Sequence, residues 1–251
     1  MEQKIIIFVF FLIILLIYYY LETTENYFNI GENISFHVIT LSNPDRLDNI
    51  YQQENILPNI KIIKFKAFSG KDLNQDQLIQ EKILDPKFKF PSTKRSNEIG
   101  CYLSHLNLLK SLKNNFSNGA IKYHIILEDD FKFVLGTDFL ASINKFIAQT
   151  NFNSFDIVFL GWTLSDENKS EQIYFSENLF KFTNSSSFYG THGYMVNSNS
   201  LDKIINLLSL IDNPIDIKYN TLYSNNLLDM YWSNQAIIES NFSLTSTILL
   251  N

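Results

Sequence analysis

Tyr123–Phe133 reads YHIILEDDFKF: an apolar run of strand character that stops at three consecutive carboxylates, Glu128, Asp129 and Asp130, before Phe-Lys-Phe. Open α/β sheets bind ligands in the crevice beyond the carboxyl ends of their strands, so a buried strand ending in acids marks both a fold class and a site. Three carboxylates with no adjacent cation repel one another, and burial adds to the cost of keeping them ionised. A hard divalent cation, Mn²⁺ or Mg²⁺, would neutralise them, and such ions are commonly held by one or two carboxylates together with substrate phosphates. A metal here therefore predicts a bound diphosphate. The plainer alternative is a solvated acidic turn, with Asp129 or Asp130 capping the next element; the preceding Ile-Ile-Leu favours the site.

Upstream, Ser35–Leu41 (SFHVITL) is a β-branched run ended by Ser-Asn-Pro-Asp, a strand and turn from which Asp45 would cap a helix over Arg46–Glu54. Ile60–Phe65 alternates as a second strand, with Phe68-Ser69-Gly70 as its loop. Asp72–Lys94 has no clean period and reads as a mobile excursion with one helix at most. From Glu98 the apolar positions Ile99, Tyr102, Leu103, Leu106, Leu109 and Leu112 recur at three- and four-residue steps, one face of a helix. Downstream follow a helix over Asp138–Gln149, strands at Phe155–Leu160 and Gly193–Val196, and an amphipathic helix over Ser200–Ile211. Strands alternating with helices predict an α/β fold with a mainly parallel central sheet.

The 251 residues suffice for one large domain, at roughly 100–200 residues per domain. A net charge of −6 and the lack of any Lys/Arg block argue against nucleic acid as a partner. One cysteine, Cys101, excludes an intrachain disulfide framework and is expected to exclude any cysteine-based zinc site. No Walker-type lysine loop, GxSxG elbow or HExxH occurs, which weighs against a P-loop enzyme, a serine hydrolase and a zinc protease.

Ile5–Leu21 is an unbroken apolar and aromatic run at the short end of what spans a bilayer, preceded by Lys4 and closed by three tyrosines and Glu22. It reads as a single-pass membrane anchor over residues 1–21 with the chain beyond it on the non-cytoplasmic, lumenal side. A cleaved signal peptide fits less well, because no small-residue cleavage site follows. Residues 22–34 read as a stem and 35–251 as the catalytic domain. Sequons at Asn33, Asn115, Asn168, Asn184 and Asn241 suit that side, although about four would arise by chance in so Asn- and Ser-rich a chain.

Asp216, in Asn-Pro-Ile-Asp-Ile-Lys-Tyr, is an isolated carboxylate among apolar residues, a setting that raises a pKa towards that of a working base. By itself it is equally ordinary turn chemistry. Gly190-Thr191-His192-Gly193 precedes a strand and suits backbone lying close to a ligand, or else a tight bend with a structural histidine. His105, on the long helix, is more often a core residue than a ligand.

Taken in order, HVITLSNPDR, FKAFSG, EIGCYLSHLNLLK, HIILEDDFKF, FDIVFLG, YGTHGYMVNS and PIDIKY resemble glycosyltransferase family 25, which includes lipooligosaccharide β-galactosyltransferases and procollagen galactosyltransferases, over residues 36–220. The resemblance implies a GT-A-like nucleotide-diphospho-sugar transferase fold. It also implies inverting transfer of a hexose, usually galactose, from a UDP-sugar to a hydroxyl of a glycan or glycoprotein, with Mn²⁺ on the acidic motif. It makes Asp130 and Glu128 the metal pair, and sets Glu128 or Asp129 near the ribose or donor sugar. Thr40, Leu41, Asn43, Arg46, Ser104, His105, Gly190, Thr191 and His192 fall on the donor side, and Asp216 becomes the candidate base. Ser69-Gly70 stands where the family usually has Asp-Gly, and the family's proline-containing C-terminal segment is missing. A binding module without turnover keeps the same motifs, and a metal-dependent phosphohydrolase would also use strand-end carboxylates but more of them.

Overall fold

A computed structural model describes residues 33–88, 92–116, 122–134, 138–149, 155–164, 172–183 and 188–244. The Ile5–Leu21 run and most of the stem lie outside these; among the described residues no helix is long and apolar enough to cross a membrane.

The chain runs β1 (Ile34–Thr40), α1 (Pro44–Ile56), β2 (Ile62–Lys66), α2 (Gln75–Gln80), α3 (Ser92–Asn115), β3 (Tyr123–Glu128), β4 (Phe131–Phe133), α4 (Phe139–Gln149), β5 (Ile157–Phe159), β6 (Thr163–Leu164), β7 (Gln172–Tyr174), β8 (Leu179–Phe182), β9 (Phe188–Tyr189), β10 (Gly193–Asn197), α5 (Leu201–Leu207), α6 (Ile215–Ser224), β11 (Met230–Ser233) and β12 (Ile238–Ser240). The main sheet has the order β2-β1-β3-β10-β5-β11-β8-β7.

The sheet is mixed rather than mainly parallel. β2, β1 and β3 run parallel, as do β5 and β11, but β10 lies antiparallel to both β3 and β5, and β8 to both β11 and β7. The α/β alternation breaks after β5: among the described residues the strands from β5 to β10 follow one another without an intervening helix, which permits antiparallel pairing. β1 and β3 are nevertheless buried along nearly their whole length, as central strands covered on both faces are.

The predicted face of α3 is the core: Ile99, Tyr102, Leu103, Leu106, Leu109 and Leu112 are all buried. Its close seat requires small residues. A Cβ on Gly100 would stand 2.7 Å from the Phe68 carbonyl oxygen, and one on Gly70 2.3 Å from that of Ser96, so the loop after β2 touches the helix backbone to backbone. The abundant aromatics build the other half of the core. Trp232 stacks on Phe159 with centroids 5.6 Å apart and meets Phe182, Phe188 and Tyr223 edge-on at 4.8–4.9 Å, each such pair adding about 0.5–1.5 kcal/mol beyond burial alone.

Three local expectations are corrected. Asn43, not Asp45, occupies the N-cap of α1, because Pro44 is suited to the first helical position. The stretch after Asp72 is tied down as far as Phe88: Leu84 and Phe88 are buried and Leu84 bridges to Ile211, while residues 89–91 lie outside the described residues. That bridge also ends the helix expected over Ser200–Ile211 at Leu207, since Ile211 exchanges backbone hydrogen bonds with Ile83 and Asp85 instead of continuing the turn.

Candidate functional site

The carboxyl ends of β1, β2 and β3 open into a cleft. Thr40 and Leu41 line it from β1, Phe68 from the loop after β2, Cys101 and His105 from α3, and Glu128 and Asp129 from the end of β3. The cleft sits where the sheet's parallel half ends, so a strand ending in acids and a helix carrying Ser104-His105 face the same space.

Each member of the Glu128–Asp130 run is held differently. Glu128 Oε1 accepts from the Thr191 hydroxyl and lies 3.3 Å from His105 Nε2. Burial pushes the Glu128 carboxyl up, but the His105 ring and the Thr191 hydroxyl outweigh it and hold it below the ordinary range. Asp129 is pushed up by burial, against the pull of Thr40 and Arg46. Asp130 is raised by burial and then by Glu128, and its Oδ1 is buried without a hydrogen-bond partner. The carboxylates also have a protein cation, which the sequence reading did not foresee. Arg46, buried on α1, sets Nη1 3.1 Å from Asp129 Oδ1 and 3.0 Å from Asp130 Oδ2. Asn49, one helical turn on, donates to the carbonyls of Asp129 and Phe131 and so fixes the turn itself.

Asp216 lies in the first turn of α6 rather than in a free turn; its Oδ1 accepts from Ile217 N at 2.8 Å and its Oδ2 from Gly190 N at 3.3 Å. Burial raises its pKa, the two amides oppose that, and Glu128 adds to it. Gly190 has φ +91°, a left-handed conformation that a side chain would strain, and this aims its amide at Asp216. His192 is buried beside them, packed so closely against Gly161 that a Cβ there would stand 2.5 Å from its Nε2. The loop therefore joins the base candidate to the acids: Gly190 contacts Asp216, Thr191 contacts Glu128, and His192 feels both Glu128 and Asp130.

The remaining expected residues are placed less uniformly. Ser104 lines the cleft, but its hydroxyl accepts from Phe68 N and donates to the Gly100 carbonyl, pinning loop to helix. Leu41 is exposed at the rim, and Asn43 is exposed at the N-cap of α1 without capping it through its side chain. Two residues went unnoticed in the sequence. Glu98 is raised to about 7 by burial, then by the like charges of Asp216 and Glu128, and Cys101 lines the cleft one turn after it. Their spacing with His105, at i, i+3 and i+7 on one helix, was the available signal.

Glu98, Glu128, Asp129, Asp130 and Asp216 thus outnumber Arg46 and Lys94, the Lys and Arg side chains that act on them. A buried carboxylate oxygen without a partner among like charges, on an oxygen-rich donor set, fits a hard divalent cation at Asp130 and Glu128.

A family model described as "Glycosyltransferase family 25 (LPS biosynthesis protein)" matches residues 33–219. A comparison with curated proteins gave no match. Among solved structures, A197 from STIV is 12% identical, with 83% of this chain and 84% of that chain covered at a TM-score of 0.39. A UDP-glucose pyrophosphorylase complexed with UDP-glucose is 9% identical, with 88% and 78% covered at a TM-score of 0.39. Both likenesses are too loose to say more.

Proposed function

The chain belongs to glycosyltransferase family 25, and we propose that it transfers a hexose, galactose by the habit of its family, from a UDP-sugar to a hydroxyl of a glycan or glycoprotein, with inversion and with Mn²⁺ or Mg²⁺. The observation that carries this reading is the hydrogen-bonded link from Asp216 through the Gly190-Thr191 loop to Glu128, which lines the cleft with Asp129, together with Asp130 Oδ1 left unpartnered beside them.

In this reading Asp130 and Glu128 hold the metal, which when bound offsets charge on the departing diphosphate. The protein's own groups do the rest. Thr40 and Leu41 lie where a nucleotide would enter over β1, while Arg46 holds Asp129 and Asp130 in place instead of reaching a ligand. Thr191 and His105 keep Glu128 ionised. Asp216, oriented by the Ile217 and Gly190 amides and with its proton affinity raised by burial, accepts the proton of the acceptor hydroxyl. A one-step displacement with a base on the acceptor side inverts the anomeric centre. The Ile5–Leu21 run would tether this domain to the membrane on the lumenal side.

The test is UDP release from a panel of UDP-sugars by the full chain with Mn²⁺, repeated with a chelator. Metal-dependent release with one donor is expected. Nucleotide binding without release from any donor would instead mark an inert module, and release of phosphate a hydrolase.

A further inference from the structure

α3 offers the cleft a second donor set, one that differs in chemistry from the oxygens of the acidic turn. Cys101 and His105 are four residues apart on the helix, so both side chains fall on the face that looks across to Glu128. One ligand atom from each of Cys101, His105 and Glu128 lies within 4.8 Å of the other two, and all three residues line the cleft. A tetrahedral site with metal–ligand bonds of about 2.0–2.3 Å needs donor atoms roughly 3.5 Å apart, within reach of small side-chain rotations.

The imidazole is prepared for this. His105 Nδ1 lies 2.8 Å from the Tyr194 hydroxyl and their rings stack, so the ring is oriented with Nε2 towards Glu128. Without a metal Nε2 bonds to the Glu128 carboxylate; because a phenol both donates and accepts, His105 can keep its proton on Nδ1 when a metal takes the place of the proton on Nε2. Glu128, Glu98, Asp216 and Asp130 all act on Cys101 as negative charges, a surrounding that favours a bound cation.

Against the expectation drawn from the single cysteine, we propose that Cys101, His105 and Glu128 form a three-ligand site for a thiophilic divalent ion of the Zn²⁺ class, its fourth position open to the cleft. Sulfur and imidazole donors select Zn²⁺ or Co²⁺ over Mn²⁺ and Mg²⁺. Glu128 cannot serve this ion and a hard cation at the acidic turn in the same geometry. The site's existence does not depend on the glycosyltransferase reading.

The experiment adds Co²⁺ alone to the metal-free full chain and records the near-ultraviolet thiolate-to-cobalt charge-transfer band, then displaces Co²⁺ with Zn²⁺. The band is expected with one equivalent, bleached by Zn²⁺ and resistant to excess Mg²⁺. Cys101→Ser should remove the band and weaken Co²⁺ binding at least about tenfold, since even outer-shell changes cost about 10–100-fold. Asp130→Asn, which touches only the acidic turn, should keep it. No band from a wild-type chain with native circular dichroism, or a band unchanged in Cys101→Ser, overturns the proposal. If Cys101→Ser does not fold, His105→Gln, expected to shift or lose the band, decides the same point.

Discussion

Arg46 and Asp130 are 84 residues apart in sequence, yet the Arg46 guanidinium lies 3.0 Å from Asp130 Oδ2 and bridges to Asp129 beside it. Arg46 is buried and the two carboxylates half-buried, and removing one partner of such an ion pair leaves charge with less to offset it. Arg46→Met is expected to lower stability by about 3–5 kcal/mol in urea denaturation. Mn²⁺ should restore part of that loss if the same carboxylates hold the metal. Wild-type stability in Arg46→Met would show that the bridge contributes nothing.

Asp130→Asn and Asp129→Asn should separate ligand from scaffold. The first removes an unpartnered oxygen and should abolish Mn²⁺-dependent UDP binding and turnover together. The second loosens the contacts with Thr40 and Arg46 and should show mainly as a loss of about 1–3 kcal/mol in stability. Calorimetric titration of UDP with and without Mn²⁺ checks both; normal metal-dependent binding by Asp130→Asn would refute its role.

Asp216→Asn should reduce kcat by about 10²–10⁴-fold while leaving UDP affinity within a few-fold of wild type, because the change removes a proton acceptor and keeps a side chain of the same shape whose one oxygen can still accept from the Ile217 or the Gly190 amide. An equal collapse of UDP affinity would place Asp216 on the donor.

Ser104→Ala should cost about 1–2 kcal/mol, through the loss of hydrogen bonds to Phe68 N and the Gly100 carbonyl, with little change in donor KM. A raised KM at unchanged stability would instead place the hydroxyl against the nucleotide.

Acid should destabilise the domain through a cluster away from the cleft. Ser35 Oγ lies 2.7 Å from both His37 Nε2 and His124 Nδ1, and burial holds the two imidazoles down to about 4 and about 3, with His37 also lowering His124. Below about 6.5 the unfolded chain takes up protons that the folded one refuses. The stability these neutral histidines contribute is thus complete above about 6.5 and is lost as pH falls towards 4, at up to about 1.4 kcal/mol per pH unit for each. Glu98 acts in the opposite sense: raised to about 7, it keeps a proton that the unfolded chain has shed, so its contribution is lost as pH rises from about 4.5 to about 7. Urea denaturation of Glu98→Gln from pH about 7 to about 5 isolates the histidines. An unchanged slope when His37 and His124 are also replaced by Asn would rule them out.

Much of the frame was legible because it is local. The three-and-four spacing from Ile99 to Leu112 and the β-branched runs of β1 and β3 state their own burial, and the order of short motifs identified the family. Strand direction was not legible. Nothing in GYMV says that β10 runs against β3, since a buried strand has the same composition in either sense. The neutraliser of the acidic run escaped for a related reason: Arg46 was visible, but its distance from Asp130 is a product of how α1 packs beside β4.

The sequence by itself determined which strand ends in carboxylates and that a helix bearing Gly-Cys and Ser-His accompanies it, because periodicity and residue chemistry act within a few turns of chain. Only the tertiary structure decided which charges face one another. Electrostatic free energy depends on separation and burial, and these were set by the packing of α1, α3 and the Gly190–His192 loop around the end of β3.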